Sequence, residues 1–391
     1  MELPYLRDEF LLDPDITFLN HGSFGACPRP VFEVYQCWQR ELERQPVEFL
    51  SRRIRGLLAE ARQPLSDLIH CAPTDLVYVP NATTAINVVA RSLARALSLG
   101  PGDEILTTDH EYGAAARVWR FITRRSGARL IEYPLPTPLT TPEAAAATLW
   151  AGVTDRTKVM FLSHITSPTA LVLPVAEICR RARAAGIVTV IDGAHALGQI
   201  ELDMQALGAD FYMSNAHKWL LAPKGCAFLY ARPDCQQLLD PLVVSWGWES
   251  ENPGRSTFMD YFEWTGTFDP AAYLSVPAAI RFQQEHRWPD VRTACRALLT
   301  GLRRRIVDLT GLPPLCPDGL GWTEQMISLP LPAAWGEPAR VQSRLWEDFR
   351  IEVPVLAWSG QTLIRISVQA YNGPRDGERL LAALANLPRS A

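Results

Sequence analysis

Two short stretches of this sequence each set a reactive side chain at the end of an apolar run. Residues 187–191 are mostly apolar and stop at Asp192; residues 211–213 are apolar and stop at Ser214-Asn215-Ala216-His217-Lys218. A lysine amine condenses with a carbonyl to form a Schiff base. A carboxylate beside a ring nitrogen keeps that nitrogen protonated, because an opposite charge at contact favours the charged form. Pyridoxal 5'-phosphate (PLP) asks a protein for both services: an amine for its aldehyde, and an acid that keeps its ring an electron sink. Lys218 is the candidate amine and Asp192 the candidate partner. Either alone also reads as a surface lysine or a loop aspartate. Together, in this order and each at the end of a strand, they point to the cofactor. Chemistry in open α/β sheets collects at the carboxyl ends of strands, so the two share one edge.

The elements around them follow from hydrophobic spacing. Residues 75–80 read as a strand, Asn81-Ala82-Thr83-Thr84 as the start of a helix that runs to about Leu97. A strand, small hydroxyl residues and a helix N-terminus make an anion site, since unpaired N–H groups and the positive dipole end face the ligand; an ordinary Thr N-cap is the plainer alternative. A strand at 104–108 ends in Asp109-His110-Glu111-Tyr112-Gly113, and one at 158–164 puts Ser163, His164 and Ser167 on the same edge. A helix at 175–185 leads back to Asp192. Upstream, 17–20 is extended and ends in His21-Gly22-Ser23-Phe24-Gly25, where two glycines permit close backbone approach; 30–69 has helical spacing throughout. Downstream, a helix at 271–284 precedes Trp288-Pro289. Then come a helix at 291–309, a strand at 326–331, a helix at 339–349, strands at 351–357 and 361–368, and a helix at 378–387. Arg365 interrupts the last apolar strand, and a guanidinium there is costly unless paired.

Composition narrows the classes. The chain has 391 residues, 48% hydrophobic and 20% charged, enough for two domains and a large core. A net charge of −4 without a long basic run gives no electrostatic case for nucleic acid. No apolar run reaches the length of a membrane span, and no signal peptide is expected from Met1-Glu2-Leu3-Pro4-Tyr5. Eight cysteines without C-x-x-C pairs read as reduced thiols, so a cytoplasmic location is expected, and no metal.

D-G-A-H-A-L-G at 192–198 and S-N-A-H-K-W-L-L-A-P-K-G at 214–225 resemble the class V aminotransferase family of PLP enzymes. L-N-H-G-S-F-G-A at 19–26 and D-H-E-Y-G-A at 109–114 resemble its isopenicillin N epimerase-like group. The likeness runs from about Phe18 to about Val368. It implies an α/β chain of PLP fold-type I, with a mostly parallel seven-stranded central sheet domain and a smaller α+β C-terminal domain. The expected division is 31–288 for the large PLP-binding domain and 289–391 for the small one, with 1–30 an arm and substrate loop packing on the latter. A homodimer with shared active sites is implied.

The resemblance also assigns roles. Ala82, Thr83 and Thr84 would cradle the phosphate, with Asn215 and His217 contacting it and Thr267 capping the phosphate of a partner subunit. Tyr112 would stack on the ring, and His195 would hydrogen-bond its phenolic oxygen. Asn20, His21 and Gly22 would lie near an amino acid substrate whose carboxylate sits on Arg365. Relatives commonly carry arginine where this chain has Phe268, so a distal substrate carboxylate is not expected. The aromatic stretch 243–268 suits either an apolar or cationic substrate or a dimer interface. Lys218 would serve as general base at Cα. Three outcomes stay open: epimerisation, with Tyr112 or His21 as the second acid; C–S lyase action on an S-substituted cysteine; and transamination. A desulfurase is disfavoured, because Trp358-Ser359-Gly360 offers no cysteine, and a non-enzymatic scaffold would have no use for the lysine, aspartate, phosphate loop and arginine together.

Overall fold

Strands that are apolar along their whole length need cover on both faces. The computed structural model, which describes residues 6–254, 256–319 and 321–387, shows that cover. Its strands in chain order are β1 (Thr17–Phe18), β2 (Leu76–Val79), β3 (Glu104–Thr108), β4 (Arg129–Tyr133), β5 (Thr157–Ser163), β6 (Val188–Asp192), β7 (Phe211–Asn215), β8 (Ala227–Ala231), β9 (Met326–Leu331), β10 (Ile351–Glu352), β11 (Val355–Trp358) and β12 (Gln361–Ser367). Seven of them form one sheet in the order β2-β8-β7-β6-β5-β3-β4. Only β8 runs against its neighbours; the other pairings are parallel. Side chains alternate between two cores: Val190, Phe211 and Met213 face one layer of helices, Ile191, Tyr212 and Phe228 the other.

Parallel pairing brings strand ends together. Ser163 stands beside Asp192, and Asp192 beside Met213, one residue short of the Ser214-to-Lys218 turn. The helix Ala82–Ala96 leaves the same edge after β2.

A second sheet, β11-β12-β9, is antiparallel and sets Arg365 opposite Ser328. The long helix Trp288–Thr310 packs against it. The N-terminal segment pairs with this part of the chain: β1 runs parallel to β10, and the Leu6 N–H donates to Ala370 O at 2.9 Å. Residues 1–5, where the expected arm begins, lie outside the described residues.

Prolines break three elements that spacing alone makes continuous. The helical region 30–69 is Arg29–Arg44, a π-helical turn Glu48–Arg53 and Ile54–Leu68, parted at Gln45, which precedes Pro46 and leaves the helical region. The strand expected at 351–357 is split at Val353-Pro354, where a ladder donor is missing. The helix at 271–284 is parted at Ser275, because Pro277 has no N–H to offer the preceding turn.

Candidate active site

A cavity of about 290 Å³ opens at the carboxyl edge of the central sheet, and Lys218, Asp192, His195, Tyr112, Asn215 and His217 all line it. Ala82 and Thr83 close one side, Ser163, Ile165 and Ser167 another, Ser23 and Phe24 a third. The strand-end logic therefore brings the amine, the carboxylate and a helix N-terminus into one space.

The amine of Lys218 is held near neutrality. Burial and the charge of Arg365 pull its pKa down to about 7, against the pull of Asp192. Asp192 is 3% exposed; burial raises its pKa, opposed by the Ala194 N–H at 2.9 Å and by Lys218. A carboxylate so buried needs a protonated neighbour to hold its charge. His195 places Nε2 3.4 Å from the Lys218 amine, and burial with the charges of Lys218 and Arg365 keeps this imidazole neutral.

Arg365 is buried and has no carboxylate partner among the described residues. Its Nη1 donates to Ser167 O at 2.8 Å and Ser167 Oγ at 3.1 Å, its Nη2 to Ser23 Oγ at 3.0 Å, and its Nε is buried without an acceptor. Burial lowers its pKa only to about 10, so it stays charged. Two hydroxyls and an idle N–H around a fixed guanidinium are what a bidentate carboxylate would complete.

The anion site differs in detail from expectation. The N-cap is Asn81, whose Oδ1 accepts from the Thr84 N–H at 2.8 Å and from Thr84 Oγ1 at 3.1 Å. Thr84 therefore faces its own cap and does not line the cavity, a correction to its expected role. Asn215 Oδ1 accepts from the Ala82 N–H at 2.9 Å, which leaves Thr83 as the first-turn residue open to the cavity. His217 donates Nδ1–H to Cys226 O at 2.9 Å, and burial lowers its pKa to about 4; it would donate to a phosphate only on gaining a second proton.

The substrate loop also needs correcting. Residues 21–24 form a single helical turn, which sends successive side chains in different directions. Asn20 turns away to Glu352 Oε1 at 2.9 Å and accepts from Ser23 Oγ at 2.5 Å. His21 is fully buried behind the cavity wall, with Nδ1 2.8 Å from Tyr371 Oη and Nε2 3.0 Å from Lys218 O; burial takes its pKa to about 3. Neither nitrogen is free to act as an acid. Gly22 packs under the site, where a Cβ would stand 2.8 Å from Met326 Sδ. Ser23 and Phe24 are the residues that reach the cavity, and Ser23 could have been found as a hydroxyl two residues after His21. Gly25 seats this loop: at φ 73°, a Cβ would stand 2.1 Å from His217 O. Thr267 is exposed and does not line this cavity. His164 points to Tyr212 Oη at 3.0 Å instead of the cavity.

These groups fit PLP: an amine near neutrality, a buried acid awaiting a cation, a helix N-terminus and an aromatic ring around one cavity. The aminotransferase class-V family model matches residues 30–333. The chain belongs to this family. An isopenicillin N epimerase of Amycolatopsis lactamdurans is 37% identical over 98% of this chain and 98% of its own. A probable chloroplastic L-cysteine desulfhydrase of Arabidopsis thaliana is 29% identical over 96% of this chain and 84% of its own. Among solved structures, a C-DES mutant with glycine covalently linked to its PLP cofactor superimposes with a TM-score of 0.81 and 25% identity, over 98% of this chain and 99% of that one. This class V chain is a PLP-dependent enzyme of fold-type I. Lys218 would hold the cofactor aldehyde, Asp192 would face its ring nitrogen, and Tyr112 would cover the ring.

Two residues outside the expected set brace residues of the site from behind. Trp219 follows the lysine and donates Nε1–H to His195 Nδ1 at 3.3 Å. Trp358, at the tip of the β11–β12 hairpin, donates to Asp109 O at 2.9 Å and so braces the loop that carries Tyr112. No spacing rule marks Trp358. Trp219 was open to notice as the neighbour of the lysine.

Proposed function

We propose that this enzyme removes the Cα proton of an amino acid with an uncharged side chain and returns a proton to the opposite face, as an epimerase or racemase. The observation that carries this reading is an amine near pKa 7 and, close to it, a buried guanidinium with no carboxylate partner among the described residues. PLP, when bound, draws electrons from the substrate Cα and makes its hydrogen acidic. Lys218 is matched to its task as base, because a general base works best with a pKa near the operating pH. Arg365 holds the substrate carboxylate, and Ser23 and Ser167 fix the guanidinium. Tyr112 supplies the returning proton: it lines the same cavity as Lys218, whereas His21 is spent on Tyr371 Oη and Lys218 O. Phe268 packs on Trp264 and Tyr273, so it offers nothing to a distal carboxylate, and isopenicillin N is not the expected substrate. Two copies share the sites, with Thr267 of each reaching the other's phosphate.

A second reading is a C–S lyase on an S-substituted cysteine. It is favoured by the sealing of His21, which leaves one candidate for the second acid, and a lyase needs none. Incubation of the holoenzyme in D₂O with L-amino acids and S-substituted cysteines separates the two. Deuterium at Cα with D-isomer supports the epimerase. Pyruvate and ammonia without D-isomer support the lyase and refute the first reading.

A further inference from the structure

Trp219 is fully buried and absent from the cavity wall. Its indole nitrogen only donates, so the 3.3 Å bond to His195 requires a lone pair on Nδ1. A neutral imidazole that accepts at Nδ1 carries its one proton on Nε2. That nitrogen is the one 3.4 Å from the Lys218 amine. The tryptophan is itself anchored, because Gln283 Nε2 donates to Trp219 O at 2.8 Å and the His21 ring packs on the indole at a centroid distance of 4.8 Å.

We propose that Trp219 sets the tautomer of His195, so that an N–H and not a lone pair faces the Lys218 amine. Trp219 is thus a positioning residue that acts through His195. An N–H facing the amine favours its neutral form, whose lone pair accepts; an ammonium would meet like polarity. The other groups facing this pair are Arg365, which opposes charge on both, Asp192, which favours charge on Lys218, and His21, which opposes charge on His195. None of them is hydrogen-bonded to Nδ1; the indole is. The tautomer is independent of what Lys218 binds; its functional meaning rests on Lys218 being the cofactor amine.

The test uses full-length protein labelled with ¹⁵N-histidine, freed of cofactor, with Trp219→Phe and with β-(3-benzothienyl)alanine in place of Trp219. The second variant keeps the ring shape and replaces N–H by sulfur, so it decides the outcome if the first fails to fold. Long-range ¹H–¹⁵N spectra report which nitrogen of His195 is protonated. The wild type is expected to show the Nε2–H form, and both variants a gain of Nδ1–H. The pH midpoint for PLP capture by the cofactor-free protein should then rise by roughly 1 unit, since a lone pair on Nε2 would stabilise the ammonium. An unmoved tautomer in the benzothienyl variant overturns the proposal. A moved tautomer with an unmoved midpoint overturns its link to Lys218. Borohydride trapping of PLP on a different lysine would sink the cofactor assignment and leave the tautomer result standing.

Discussion

Glu111 closes the loop after β3, with its carboxyl accepting from Thr108 Oγ1 at 2.8 Å and from Ser163 Oγ. Burial raises its pKa from 4.5 to about 8; Asp192 adds to the rise and the two hydroxyls oppose it. At neutral pH the carboxyl is therefore protonated when folded and ionised when unfolded. The folded chain binds the extra proton, so stability falls as pH rises from the unfolded value to the folded one. Each pH unit in that window costs about 1.4 kcal/mol, which gives roughly 5 kcal/mol as an upper bound over the whole span. The Glu111→Gln variant keeps the shape, can still pair with both hydroxyls and has no proton to lose. Urea unfolding of both cofactor-free proteins between about pH 5 and about pH 8 removes every titration the two share and leaves that of Glu111 together with its coupling to Asp192. The variant should match the wild type at the acid end and gain on it steadily toward the alkaline end, with most of the gain complete near pH 8. Two curves that stay parallel throughout would refute the reasoning, since Glu111 would then titrate alike in both states.

Borohydride reduction of the holoenzyme should fix the cofactor to Lys218, and Lys218→Ala should give no adduct by peptide mapping. Arg365→Ala should weaken amino acid binding by about 2–5 kcal/mol, as loss of one partner of a buried charge pair does, while cofactor content holds; equal loss of both would make the arginine structural. Dilution to monomer should release cofactor if Thr267 caps the neighbour's phosphate, and full retention by the monomer would argue against shared sites. Gly25→Ala should cost about 1–3 kcal/mol in thermal unfolding, because its φ of 73° and the His217 carbonyl 2.1 Å from a Cβ both resist a side chain; an unchanged midpoint would show that the loop relaxes freely.

Lys218 and Asp192 were legible because each follows an apolar run, and the end of a parallel strand is a place that pattern can find. The helix N-terminus at the cavity was legible as strand, small residues and helix, yet the division of labour within it was not. Asn81 caps Thr84, and Asn215 takes the Ala82 N–H across 133 residues of sequence, a contact that no local spacing encodes. The substrate loop reads as a turn because of its glycines, but one helical turn there changes which side chains look inward. Asn20 and His21 are polar for the sake of Glu352, Tyr371 and Lys218 O, not for a ligand. Arg365 stood out because a guanidinium in an apolar strand must be paired, whereas its partners Ser23 and Ser167 come from distant segments. The aromatic stretch stays ambiguous by composition; in the structure Trp246 is 85% exposed and Val244 68%, so that part of it is not filling this chain's core.

The pairing of β1 with β10 sets a schedule for synthesis. The central sheet can assemble from β2 to β8 while later residues are still being made, since its contacts span shorter stretches. Thr17 and Phe18 must wait for Ile351 and Glu352, and Ser23 for Arg365, 342 residues later. Residues 17–23 are thus made well before the partners that place them, and a chain stalled before β12 would have Lys218 and the helix N-terminus at Ala82 but not Arg365. The cavity is therefore closed only by the last strand of the chain, because Ser23 and Ser167 find their common guanidinium there.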